Sequence, residues 1–216
     1  MSLRGVTLLA VALLPAEAGA EFSGRNVFDA AGCAACHRVD GRGGNAGPDL
    51  SLVGFRRTPE WLRLWLRKPS AWKPDTKMPD FRLRGGDLNA LVDYLSGLKS
   101  SGAAPHGGAA SVEAGRKLFS SVGCVACHGP AGSGGHPNNN VPGGVIPPLP
   151  ALAATYTEDE LVERIRRGKR PDKHDPAGPE PLVSMPAWGG TLDEPQLRSL
   201  AQYVKSLAAA APASDW

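Results

Sequence analysis

The stretch Gly32-Cys33-Ala34-Ala35-Cys36-His37 returns as Gly123-Cys124-Val125-Ala126-Cys127-His128, and these two copies use all four cysteines of the 216-residue chain. Three chemistries employ two cysteines with two residues between them: a structural zinc site, a thiol redox pair, and covalent haem attachment when a histidine follows directly. Two pairs could together hold one tetrahedral zinc, but 87 residues separate them and each lies in its own repeat. A redox pair of thioredoxin type calls for a βαβ setting, and no alternating strand pattern of useful length occurs. Haem attachment accounts for the histidine. On one helical turn both thiols can form thioethers to the porphyrin vinyl groups while the imidazole points at the iron.

An iron held in this way needs a sixth ligand or an open face. After the first residue the chain has two methionines, Met78 and Met185, which lie 41 and 57 residues after His37 and His128, each followed by proline. Methionine fills irregular gaps well, but gap filling demands no register between copies, whereas iron ligation does. Thioether sulfur favours ferrous iron and raises the potential relative to bis-histidine ligation. The expected metal ligands are therefore His37 with Met78 and His128 with Met185, on two covalently bound haem c groups.

The elements that must position these residues also repeat. Gly24-Arg25-Asn26-Val27-Phe28 corresponds to Gly115-Arg116-Lys117-Leu118-Phe119, Thr58 to Thr157, and Leu88 to Leu98 corresponds to Leu197 to Leu207. The offset between copies grows from 91 at the cysteines to 99 at the threonines and 107 at the methionines, so the second copy carries two insertions of eight residues each. Val27, Phe28 and Ala31, with Leu118, Phe119 and Val122 in the copy, predict a short helix before each cysteine motif. Thr58 followed by Pro59, and Thr157 followed by Glu160, predict capped helix starts. Leucines and one tyrosine at helical spacing (Leu88, Leu91, Tyr94, Leu95, Leu98; Leu197, Leu200, Tyr203, Leu207) predict a closing helix in each copy. The 27 glycines and 20 prolines point to long loops. The expected fold class is all-α, two tandem domains with large loops wrapped around haem: a signal peptide at 1–20, domain 1 at 21–100, a linker at 101–111, domain 2 at 112–209 and a tail at 210–216.

The signal rests on Arg4, the apolar run Val6 to Leu14, and Ala18-Gly19-Ala20 as a cleavage site. That run falls short of the roughly 20 residues a spanning helix needs. Export to the periplasm is expected, with membrane association only through a partner. Residues 21–100 hold 13 Lys and Arg against 9 Asp and Glu, while 101–216 hold 10 against 11. A mildly basic first half suits an acidic protein partner, and nothing suggests nucleic acid. Arg164, Arg166, Arg167, Lys169 and Arg170 form a second basic cluster.

Taken together, these motifs resemble the class I cytochromes c, specifically the two-domain dihaem members, over nearly all of residues 22 to 208. The resemblance implies that Cys33, Cys36, Cys124 and Cys127 attach haem. It also implies that a proline carbonyl accepts the hydrogen bond of each haem histidine. Pro48 in Gly47-Pro48-Asp49-Leu50 fits that role well, and Pro147 fits it less closely. Gly24 and Phe28 should cross Tyr94, and Gly115 and Phe119 should cross Tyr203. The loop with Asn138, Asn139 and Asn140 is read as a surface segment over the second haem edge, and His106, His136 and His174 as solvated loop histidines. The implied function is single-electron transfer between redox proteins of a respiratory or photosynthetic chain, as a free carrier or a complex subunit, with no catalytic residues. The alternatives are a dihaem peroxidase or thiosulfate-oxidising enzyme with one accessible iron, and a gas-sensing module.

Overall fold

Glycines at two helix crossings set the frame of each half. In this computed structural model, which describes residues 23–83, 85–99 and 108–209, helix α1 (Gly24–Ala30) lies against α5 (Gly85–Gly97). A Cβ on Gly24 would stand 1.8 Å from the Ala90 carbonyl oxygen. The second half repeats the contact with α6 (Val112–Ser121) against α10 (Glu194–Ala209), where a Cβ on Gly115 would stand 1.9 Å from the Ser199 oxygen. Bare backbone lets the helices approach this closely. Phe28 and Tyr94 then meet edge to face with centroids 5.7 Å apart, and Phe119 and Tyr203 at 5.3 Å.

The remaining helices follow the expected punctuation. In α3 (Pro59–Arg67) the Trp61 N–H donates to Thr58 Oγ1 at 3.2 Å with proline at the first helical position. In α9 (Glu158–Arg167), Thr157 and Glu160 close a reciprocal capping box. Three short helices come from outside the periodic segments: α2 (Val53–Arg56), α4 (Pro69–Trp72) and α8 (Leu149–Thr155). The first cysteine motif makes a 3₁₀ turn at Cys33–Ala35, followed by a two-stranded ribbon of β1 (Arg38–Val39) and β2 (Arg42–Gly43). The second motif forms α7 (Val125–His128). Apart from that ribbon and two isolated bridges, the described residues are helix and loop. The signal at 1–20, linker residues 101–107, His106 and the tail lie outside the described residues.

The cores of the two copies interlock. Leu52 is fully buried within the second half's cluster, and Phe55 meets Trp188 edge to face at 5.0 Å. In return Val183 is buried in the first half's cluster, with Ile146, Leu182 and Cys127 packed on it. The segment Leu52 to Arg57 is thus the seam between halves.

Candidate functional site

The second cysteine motif stands at the wall of one apolar cavity of about 460 Å³, within the roughly 300–1,000 Å³ of small-molecule and cofactor sites. Cys124, Cys127 and His128 enter it from α7, Pro147 from the loop before α8, and Met185 from the loop before α10. Met185 is fixed by reciprocal backbone bonds with Lys169, 2.9 and 3.0 Å long. Burial pushes the Cys124 thiol up to about 12 and the His128 imidazole down to about 4, the latter aided by Arg57. A thiol so hard to ionise is a poor redox nucleophile, whereas a neutral imidazole is the form that binds metal. No group of three or more His, Cys, Asp or Glu among the described residues could hold a zinc ion, and all four cysteines are unpaired.

His128 Nδ1 is buried without a hydrogen-bond partner. The first motif differs: His37 Nδ1 donates to the Pro48 carbonyl at 2.9 Å. Pro147 makes no such bond. A glycine explains the contrast, since a Cβ on Gly47 would lie 2.5 Å from the His37 ring, so only glycine lets that loop close on the imidazole. The second copy has Ile146 before Pro147 in place of that glycine, and Ile146 packs on the first half's core. Cys33 is buried in the first core, where burial raises its thiol, and Met78 packs on the same cluster, while Cys36 is exposed. Trp65 Nε1–H donates to Met78 Sδ at 3.0 Å, a bond for which the second copy has Arg164 at the equivalent place.

The two insertions of the second copy are partners. Asn138 is buried; its Nδ2 donates to the Val183 carbonyl at 2.9 Å and its Oδ1 accepts from the Val183 N–H at 3.0 Å. Asn139 bonds Glu180 and Leu182, and Asn140 bonds Asp175 and Pro179. The surface loop expected from the sequence holds for the exposed residues Pro142 to Val145 and is corrected at Asn138, which is buried. These amides mimic backbone and clamp the segment that leads to Met185. Asn138→Ala leaves both Val183 backbone groups buried without partners, and is expected to cost about 2 kcal/mol in denaturant unfolding.

His136 is also corrected. Its ring lies 6.4 Å from Trp65 and 6.0 Å from Trp61, across the seam. Nδ1 donates to the Pro137 carbonyl at 2.9 Å, so Nε2 accepts from Arg57 Nη2 at 3.2 Å. Arg57 in turn lies 4.4 Å over the Trp61 ring. Burial first, then Arg57, with Lys73 and His128 adding, lowers the His136 pKa from 6.5 to about 4. A depressed folded-state value means that neutral His136 contributes stability above pH 6.5, which is lost as pH falls through about 4. His136→Phe keeps the ring but not the titration, and should flatten the fall in thermal midpoint between those pH values relative to the unsubstituted protein.

His174 is exposed as expected. The basic cluster is largely neutralised: Arg166 pairs with Glu163 and Glu194, Arg167 with Glu163, Lys169 with Asp172, and Arg170 with Glu180, while Arg164 covers Tyr156.

Two cysteine pairs each followed by a histidine, one of them on the wall of an apolar cavity, in a helical frame built twice, define a protein that carries covalently bound haem. The family model described as Cytochrome c matches residues 23–99 and 112–208, and the chain belongs to that family. It has two cytochrome c domains in tandem and two covalently bound haem c groups. The chain is 30% identical over 200 residues to the Cbb3-type cytochrome c oxidase subunit FixP of Bradyrhizobium diazoefficiens, covering 87% of this chain and 61% of that protein. It is 29% identical over 199 residues to the Cbb3-type cytochrome c oxidase subunit CcoP of Azospirillum sp., covering 85% and 61%. Over 85 residues it is 35% identical to cytochrome c oxidase subunit 2 of Alkalihalophilus pseudofirmus, covering 35% and 25%. The chain thus spans about three fifths, 61%, of the two longer matches. No solved structure matches significantly. No helix among the described residues is long and apolar enough to cross a membrane.

Proposed function

We propose that the chain passes single electrons through two six-coordinate haems and performs no bond chemistry at either iron. Cys33 and Cys36 hold the first haem, with His37 and Met78 as axial ligands and Pro48 fixing the His37 tautomer. Cys124 and Cys127 hold the second, with His128 and Met185 as ligands and Pro147 nearby. The observation that carries this reading is the placement of His128 and Met185, from separate elements, on the wall of one apolar cavity. With both axial positions taken, no face is left for a substrate, and haem c supplies a one-electron iron couple tuned by its axial sulfur. The partner we favour is a terminal oxidase of a respiratory chain on the periplasmic side, because the relatives named above are oxidase subunits. The chain serves there as the haem-bearing part of a subunit or as a carrier that docks on the complex.

The test is the ferric spectrum of the exported holoprotein, followed by its oxidation on membranes that contain the oxidase. Two low-spin haems with the far-red absorption of methionine ligation, inert to carbon monoxide when reduced, are expected. A high-spin iron, or carbon monoxide binding at one site, would sink this reading and leave a dihaem enzyme or gas sensor.

A further inference from the structure

Arg56, at the end of α2, is 6% exposed, and none of the ion pairs among the described residues includes it. No protein carboxylate among the described residues pairs with it, and burying a guanidinium is costly unless its donors are met. Its donors go to two backbone carbonyls in different halves. Nη2 donates to Asp49 at 2.5 Å and Nη1 to Val122 at 2.6 Å. Asp49 directly follows Pro48, the residue that accepts from His37. Val122 is two residues before Cys124. Arg56 also lines the cavity of the second motif beside Gly123, Cys124 and Cys127, and a Cβ on Gly123 would stand 2.0 Å from Nη1.

We propose that Arg56 couples the two haem sites, one guanidinium tying the loop behind His37 to the residues that open the second cysteine motif. The inference rests on the reading of both motifs as haem sites. Two consequences follow from the geometry. First, covalent and hydrogen bonds run without a break from the His37 ring through Pro48, Asp49, the guanidinium and Val122 to Cys124. Tunnelling decays less steeply along bonded atoms than across a gap. An electron crossing here oxidises one iron as it reduces the other, with no bond made or broken and no proton moved. Second, a fixed positive charge in a low-dielectric seam favours the ferrous state of the iron nearest it.

The experiment compares the dihaem holoprotein with Arg56→Met and Arg56→Lys. Each haem is titrated separately, and interhaem exchange is read from NMR line broadening in half-reduced protein. Arg56→Met should shift the second haem's reduction equilibrium about tenfold toward ferric, 59 mV for one electron, with a smaller shift at the first, and should slow exchange tenfold or more. Arg56→Lys keeps the charge but not the fork, so the potential should hold while exchange slows. A merely structural Arg56 would produce neither this split nor a charge-dependent potential. Should Arg56→Met fail to accumulate, Arg56→Gln, which retains an amide donor, makes the same test of charge. Unchanged potentials and exchange in dihaem variants would overturn the role of Arg56 alone. A parent protein without two low-spin haems would overturn the haem reading as well.

Discussion

Met185→Ala is expected to turn the second haem high-spin while leaving it covalently attached, so that half of the far-red methionine absorption disappears and reduced protein binds carbon monoxide at that site. Met78→Ala should do the same at the first haem. Both potentials should fall, because the sulfur that favours ferrous iron is gone. The two sites should differ in how firmly they hold their sulfur. Met78 Sδ accepts a hydrogen bond from Trp65 Nε1 at 3.0 Å, whereas Met185 is placed through backbone bonds to Lys169 and through the asparagine clamp on Val183. Added imidazole should therefore displace Met185 before Met78, and Trp65→Phe should erase that difference. Equal displacement in the unsubstituted protein, read from two phases of far-red loss against imidazole concentration, would contradict the assignment.

Gly115→Ala is expected to carry a large cost in stability, comparable with that of Asn138→Ala. A Cβ placed 1.9 Å from the Ser199 oxygen and 2.8 Å from Tyr203 Cβ meets backbone that cannot rotate away, so α6 and α10 must separate. Overpacking of this kind costs roughly 3 kcal/mol, against about 1 kcal/mol gained in helix propensity. A net loss of about 2 kcal/mol should lower the domain's thermal midpoint by roughly 8 °C or more. Gly24→Ala, 1.8 Å from the Ala90 oxygen, should act likewise on the first half. Gly86 is the control: nothing lies within 4 Å of a Cβ there, so Gly86→Ala in α5 should be neutral or slightly stabilising. Equal effects at Gly86 and Gly115 would show that the crossing does not depend on glycine.

That the first and last helices cross came from the resemblance to class I cytochromes c, but their faces were legible in the chain because glycine, phenylalanine and tyrosine recur at fixed helical spacing in both copies, and local spacing decides which residues share a helix face. The same holds for the caps at Thr58 and Thr157, whose bonds reach only three residues along the chain. The Pro48 bond to His37 came from the family resemblance, through the match of Gly47-Pro48-Asp49-Leu50, and the structure adds the reason for the glycine: a Cβ on Gly47 would meet the His37 ring. At Pro147 the family pattern suggested the same bond, and Ile146 is the local departure from it.

The asparagine run was legible only in part: the loop lies at the surface, but Asn138 is buried. A polar, glycine-rich insertion looks solvent-facing until a second insertion about 40 residues later comes to pair with it, and side-chain amides pair with backbone as readily as water does. The same long-range matching hid Arg56, Arg57 and His136. Each looks like an ordinary loop or helix-end residue in the sequence, and each is partnered across a seam that no periodicity within one copy encodes.

The sequence alone determined that two equivalent units exist, which helices recur in each, and which cysteine, histidine and methionine residues stand in register, because all of these are written in spacing and repetition. The tertiary structure alone decided that the units interlock through Leu52 and Val183, that one buried guanidinium spans them, and that the two sites differ at Trp65 and Ile146. Those outcomes depend on which surfaces of two similar domains exclude water against each other, and that complementarity arises only when distant segments meet.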